Sequence, residues 1–119
     1  MQQEKFKILE FIRELVLAID KELINFPKKE IEINSGIRDE SFNLLEIAYE
    51  ANTTFDVEFK KQLIVKIIAK VKLIDFLLNM AYDNKLITEK KYYKLGLRLG
   101  DIAKYSNSWL KNISRGISR

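Results

Sequence analysis

The chain contains no cysteine and no histidine, and it has one proline and four glycines among 119 residues. Without cysteine there is no disulfide framework, no thiol nucleophile and no zinc-knuckle ligand set. Without histidine the chain lacks the commonest general base and the commonest transition-metal ligand. P-loops, Gly-x-Ser-x-Gly elbows and dinucleotide-binding fingerprints are missing as well. The sequence therefore predicts a protein that is not an enzyme and has no catalytic residue, metal site or cofactor.

Hairpin turns of the Asn-Gly or Asp-Gly type are also missing, which argues against a β protein. Hydrophobic residues make up 47% and charged residues 32%, a balance typical of a soluble globular domain. The longest nearly apolar stretch, residues 63–81, carries three lysines and an aspartate, so no membrane span is predicted. The N-terminus lacks a secretory-signal pattern, which predicts a cytoplasmic location. We expect a single domain over residues 1–119.

Apolar residues recurring every three or four positions predict four helices, over about residues 4–26, 33–51, 56–83 and 88–114. Pro27 ends or redirects the first helix, and Gly36 interrupts the pattern in the first turns of the second. Thr88 is a good N-cap for the fourth, with Glu89 in its first turn. Long helices joined by short connections favour antiparallel neighbours. The predicted fold is all-α, an antiparallel up-down-up-down four-helix bundle.

The first and third helices carry more apolar side chains than one bundle core requires. Beside the main stripes lie Ile8, Phe11, Leu17, Ala18 and Ile24 on the first helix, and Val65, Leu73, Phe76 and Leu77 on the third. One interpretation is a large core with a few exposed apolar residues, as monomers often have. The interpretation that we favour is a second buried face, formed by self-association of subunits.

Positive charge is concentrated in the C-terminal half. The net charge of +4 divides into −4 over residues 1–52 and +8 over residues 53–119. At 100° per residue, seven cations of the last helix share one sector of about 160°. They are Lys90, Lys91, Lys94, Arg98, Lys104, Lys111 and Arg115, with Tyr93 and Tyr105 inside the sector or at its edge. Such cations neutralise phosphate and tyrosine rings stack on bases, which predicts nucleic-acid binding. The alternative is a solvated lysine face that only keeps the bundle soluble.

Two other features of the helices can each be explained either by a function or without one. Gly96, Gly100 and Asn107 form a narrow strip of small residues, where another backbone could approach closely or where glycine is merely tolerated. Glu46 and Glu50 lie one turn apart and could contribute to a di-metal centre in a bundle enzyme. Such centres also need Glu-x-x-His pairs, which this chain cannot supply, so a solvated acidic face is the better interpretation.

Several segments together have the pattern of a known family. They are Phe26-Pro27-Lys28, Ile37-Arg38, residues 42–52, residues 73–87, Lys91-Tyr92-Tyr93, residues 99–103 and Trp109-Leu110-Lys111. From Phe6 to Ile113 the chain resembles the accessory variability determinant (Avd) proteins of diversity-generating retroelements. These belong with the four-helix bundle proteins encoded in intervening sequences of 23S rRNA genes.

The resemblance implies a homopentameric, barrel-like ring with a basic surface. It implies two kinds of partner, the retroelement reverse transcriptase and nucleic acid (RNA or DNA), in support of mutagenic cDNA synthesis from template RNA. No catalytic residue is implied. The related rRNA branch gives an alternative function, a four-helix bundle scaffold that acts through protein–protein interaction without binding nucleic acid.

Overall fold

Every regular element of the described chain is helical. The computed structural model describes the backbone of residues 3–116 and the side chains of residues 7–116. Its elements are α1 (Gln3–Leu23), a one-turn 3-10 helix (Lys28–Glu30), α2 (Ile31–Thr53), α3 (Val57–Asp83) and α4 (Glu89–Ser114). The all-α prediction is confirmed. None of the helices in this part of the chain is long and apolar enough to cross a membrane.

The first helix ends at Leu23, three residues before the predicted end at residue 26. The cause is Pro27, which has no N–H to donate to the Leu23 carbonyl and disfavours helical backbone at Phe26. The Leu23 carbonyl instead accepts from the Phe26 N–H at 3.1 Å and from Asn34 Nδ2 at 2.9 Å. Phe26 still lies in the core, although it is outside the helix.

The predicted ends of α3 and α4, at residues 83 and 114, match the structure, and, apart from the end of α1, the remaining predicted boundaries differ from the observed ones by one or two residues. The 3-10 helix leads directly into α2, and α2 continues through Gly36 without interruption. An interior glycine costs about 1 kcal/mol of helix propensity, which the burial of neighbouring Ile37 outweighs. Asp56 and Thr88 cap α3 and α4, accepting from the backbone N–H groups of residues 59 and 91 at 3.2 Å each.

The four helices stand at the corners of a square. α1 packs against α2 and α4, and α3 also packs against α2 and α4. Contacts between α1 and α4 run in opposite directions along the two helices, because Glu22 pairs with Lys91 and Glu14 with Arg98. With short connections elsewhere, this is the predicted up-down-up-down bundle, an elongated body of 48 × 22 × 18 Å.

The core is a single apolar cluster along the bundle axis. All four helices contribute branched aliphatic residues, and α4 adds Trp109, which is fully buried. Ile8 belongs to this core, so its assignment to a second apolar face was wrong. Its side chain lies within about 40° of the α1 stripe at 100° per residue, which places it against the other helices.

Candidate nucleic-acid interface

The predicted cations lie on the outward side of α4. Its inner side is held in the core by Leu95, Leu99 and Ile102, so the opposite side must face solvent. All seven cations are exposed, and six of them lie within the helix, while Arg115 follows its last residue. The structure therefore brings the predicted residues together on one surface.

Two of the seven cations are paired with carboxylates of the neighbouring helix α1. Lys91 Nζ lies 3.1 Å from Glu22 Oε1, and Arg98 Nη1 lies 3.2 Å from Glu14 Oε1. Exposed pairs of this kind contribute at most about 1 kcal/mol to stability, but they neutralise charge locally. Lys91 and Arg98 thus belong to the α1–α4 seam.

The remaining five cations form no ion pair with any residue whose side chain the structure describes. We call them the outward cations: Lys90, Lys94, Lys104, Lys111 and Arg115. The same face carries one acid, Asp101, and one exposed apolar residue, Leu97. Leu97 did not figure in the sequence prediction, although the 100° rotation per residue places it among the cations. The outward face is therefore strongly, but not purely, basic.

The two predicted stacking tyrosines differ in their surroundings. The Tyr93 side chain is 66% exposed beside the outward cations. Tyr105 is half-buried in the α1–α4 seam, where its ring meets Phe11 edge-on at 5.4 Å between centroids. Lys104 Nζ lies 6.0 Å from the centroid of the Tyr105 ring. Tyr93 is the better placed of the two to stack on an unpaired base.

The glycine strip on α4 is not used inside the chain. A Cβ atom built on Gly96 or Gly100 would meet no heavy atom within 4 Å. Their smallness therefore serves no close helix contact within one subunit. Two explanations remain: the helix merely tolerates glycine at these positions, or another molecule uses the space beside them.

The acidic residues of α2 do not form a metal site in the described structure. Glu46 and Glu50 are exposed and line an open groove opposite Lys66 and Lys70 of α3. Lys70 is itself paired with Glu40. No group of three potential metal ligands occurs among the described side chains.

An apolar ridge runs along the outer side of α3. Val65, Leu73, Phe76 and Met80 are exposed large apolar side chains, and exposed Ala69 continues their line. We call these five residues the α3 ridge. They are spaced by three or four positions and lie opposite the buried residues Ile67 and Ile74. On α1, Leu17 and Ile24 are exposed as well, while Phe11, Ala18 and Leu77 are half-buried. Apart from Ile8, the predicted surplus is thus partly or largely open to solvent in the single subunit.

Comparison with known proteins gave no match. Models of protein families, curated proteins and solved structures were each compared with the chain. The functional inference therefore depends on the residues, on their geometry and on the sequence resemblance described above.

Proposed function

We propose that this protein is a non-enzymatic nucleic-acid-binding accessory protein of the Avd type. The observation that carries the proposal is the set of five outward cations, which share one exposed face of α4 without a described carboxylate partner. Such cations keep their charge available for phosphate and release counterions from the nucleic acid when they bind. Lys91 and Arg98 contribute less, because Glu22 and Glu14 already offset their charge.

The proposed ligand is RNA or cDNA with unpaired bases. Tyr93 presents a largely exposed ring beside the cations, and aromatic rings bind unpaired bases by stacking. A regular duplex hides the faces of its bases and would use only the cations. Tyr93 thus favours single-stranded regions over duplex.

The proposed protein partner is the reverse transcriptase of a retroelement, and the proposed assembly is a homopentameric ring. Both come from the Avd resemblance. A ring would repeat the outward cations in every subunit, so that many weak phosphate contacts act on one nucleic acid. The exposed α3 ridge supports the proposal of self-association, because large exposed apolar patches are uncommon on monomers.

Anisotropy titration of a labelled structured RNA at roughly 50 and 200 mM salt tests the proposal. Wild-type affinity should fall with salt by about 0.7 in log–log slope for each single-strand phosphate neutralised. The triple variant Lys94→Glu, Lys104→Glu, Lys111→Glu should lower that slope by about two, since three phosphate contacts are lost. It should fold normally, because all three side chains are exposed.

The matched control is the triple variant Lys21→Glu, Lys28→Glu, Lys29→Glu. It changes the net charge by the same amount, and its exposed side chains belong to α1 and the 3-10 helix, outside α4 and the α3 ridge. The control should retain the wild-type salt slope. If both variants lost the same RNA affinity, binding would depend on net charge and not on the outward cations. If the wild-type protein bound no RNA at the lower salt, the nucleic-acid-binding proposal would be contradicted.

A scaffold that acts through protein contacts alone is the second candidate function. The observation that favours it is the amount of exposed apolar surface, above all the α3 ridge and Leu17, Ile24, Phe42 and Tyr49 on α1 and α2. Under this alternative the outward cations only keep the protein in solution. The RNA titration separates the two candidates, because a pure scaffold gives no salt-dependent RNA binding.

A further inference from the structure

A pocket of about 390 Å³ lies between α3 and α4, on the side of α4 away from its α1 seam. We call it the α3–α4 pocket. Asp75 and Tyr82 line it from α3, and Tyr92, Tyr93, Gly96 and Leu97 line it from α4. Its walls are therefore mostly aromatic and aliphatic. Tyr93 and Leu97 lie at the border between this pocket and the outward cations, and the bundle core does not use the space.

The aromatic wall of the pocket is held in a defined position. The Tyr82 and Tyr92 rings stack with their centroids 5.4 Å apart and their planes 13° apart. The Tyr92 hydroxyl donates to Asp75 Oδ1 at 3.3 Å and accepts from Asn79 Nδ2 at 3.1 Å. Two partners on α3 thus orient the Tyr92 ring. Because the ring is already ordered, a ligand that binds against it loses little free energy to ordering that side chain.

The charged residues of the pocket are both acidic. Asp75 and Glu89 line it, and no lysine or arginine does. A cation in such a pocket is attracted by the negative charge of the carboxylates and also by the electron-rich faces of the tyrosine rings. Phosphate would be repelled here, so the pocket differs in kind from the outward face of α4.

We propose that the α3–α4 pocket binds an arginine side chain of a partner protein. A guanidinium group is planar, stacks on aromatic rings and donates in a fork to a carboxylate. Its aliphatic stem matches the apolar wall that Leu97 provides. A lysine ammonium is more strongly hydrated and does not stack, so it binds the pocket less well.

Gly96 gives the pocket part of its open space. A Cβ atom there would meet no heavy atom within 4 Å, so alanine fits the fold but takes up room in the pocket. Gly100 is one turn further along α4, is equally unobstructed and does not line the pocket. Gly96→Ala and Gly100→Ala therefore form a matched pair, with the same gain in helix propensity and different effects on the ligand.

The test is a titration of isotope-labelled protein with an acetylated, amidated Gly-Arg-Gly peptide, followed by the backbone amide signals in NMR spectra. We expect saturable shifts around residues 92–97, with Gly100→Ala like wild type and Gly96→Ala at least about tenfold weaker. The peptide with neutral citrulline in place of arginine should also bind at least about tenfold more weakly, and Asp75→Asn should weaken the arginine peptide.

Several outcomes would overturn the proposal. One is the absence of saturable shifts with the arginine peptide, and another is equal binding of the citrulline peptide. Equal affinities of the Gly96→Ala and Gly100→Ala proteins would place the ligand elsewhere. If Gly96→Ala instead abolishes self-association and the peptide does not bind, the pocket seats a second copy of the chain. RNA binding by Gly96→Ala is measured in parallel, and it should be unchanged because the outward cations remain.

Discussion

At the scale of the residue, Lys85 has a backbone conformation that is unfavourable for a residue with a side chain. It follows the end of α3 with a positive φ of 62°, in the left-handed region that glycine adopts most easily. Its N–H donates to the Tyr82 carbonyl at 2.9 Å, and the Leu86 N–H donates to the Ala81 carbonyl at 2.8 Å. This is the Schellman pattern, in which the left-handed residue closes the helix end. A side chain at this position strains the backbone by about 1–2 kcal/mol.

We therefore predict that Lys85→Gly raises the free energy of unfolding by about 1 kcal/mol. The gain comes from relieved backbone strain, reduced by the greater entropy of glycine in the unfolded chain. Urea denaturation measures it. Lys94→Gly is the control, since Lys94 is exposed and lies inside α4, and it should lower stability by about 0.5–1 kcal/mol. A loss of stability in Lys85→Gly would show that the side chain contributes more than the strain costs.

At the scale of the element, α3 and α4 each have a buried apolar face and an exposed face of different chemistry. α3 buries Ile64, Ile67 and Ile74 and presents the α3 ridge outward. α4 buries Leu95, Leu99 and Ile102 and presents the outward cations. The orientation of each helix about its long axis is therefore fixed, because rotating the helix by 100° would expose core residues and bury charged ones. The N-cap residues Asp56 and Thr88 fix where the two helices begin.

Thr88→Ala should destabilise the protein by about 1 kcal/mol, because the first turn of α4 loses its side-chain acceptor. The bond lost is that from the Lys91 N–H to Thr88 Oγ1, at 3.2 Å. Thermal unfolding followed by circular dichroism measures the change. Thr88→Asp keeps an acceptor at the N-terminus and should restore stability. If the alanine and aspartate variants were equally unstable, capping would not be the reason for the loss.

At the scale of the whole molecule, apolar surface that the bundle does not bury is the feature that points beyond one subunit. Phe76, at 60% exposure, is the most exposed of the large apolar side chains in the α3 ridge. Removing such apolar area from water contributes a gross gain of about 25 cal/mol for each Å², and this gain must exceed the entropy that subunits lose when they associate. The proposed ring would bury it in every subunit.

Sedimentation equilibrium at micromolar concentration should therefore give a mass several times 14.0 kDa for the wild-type protein. Phe76→Glu should reduce the mass to that of one subunit, because a charge would have to be buried in the contact. Phe55→Glu is the control, since Phe55 is 98% exposed in the turn between α2 and α3 and lies off the ridge. A monomeric wild type would contradict the ring, and dissociation of the control alone would place the interface at the turn.

The sequence by itself determined the helices and most of the core. Apolar periodicity, Pro27 and Thr88 were enough to predict the fold class and four helices, since these signals act within a few residues of each other. Confinement of the cations to one face of α4 was also predictable, because helical rotation alone places them there. The end of α1 was missed because the effect of Pro27 extends back to the Leu23 carbonyl.

Only the tertiary structure decided which side chains from different helices meet. It separated Lys91 and Arg98 from the outward cations, because their partners Glu22 and Glu14 lie on a helix far away in sequence. It placed Tyr105 against Phe11 and brought Asp75 and Tyr82 to the same pocket as Tyr93. Such pairings depend on the order and register in which helices pack, and no pattern within one helix encodes them.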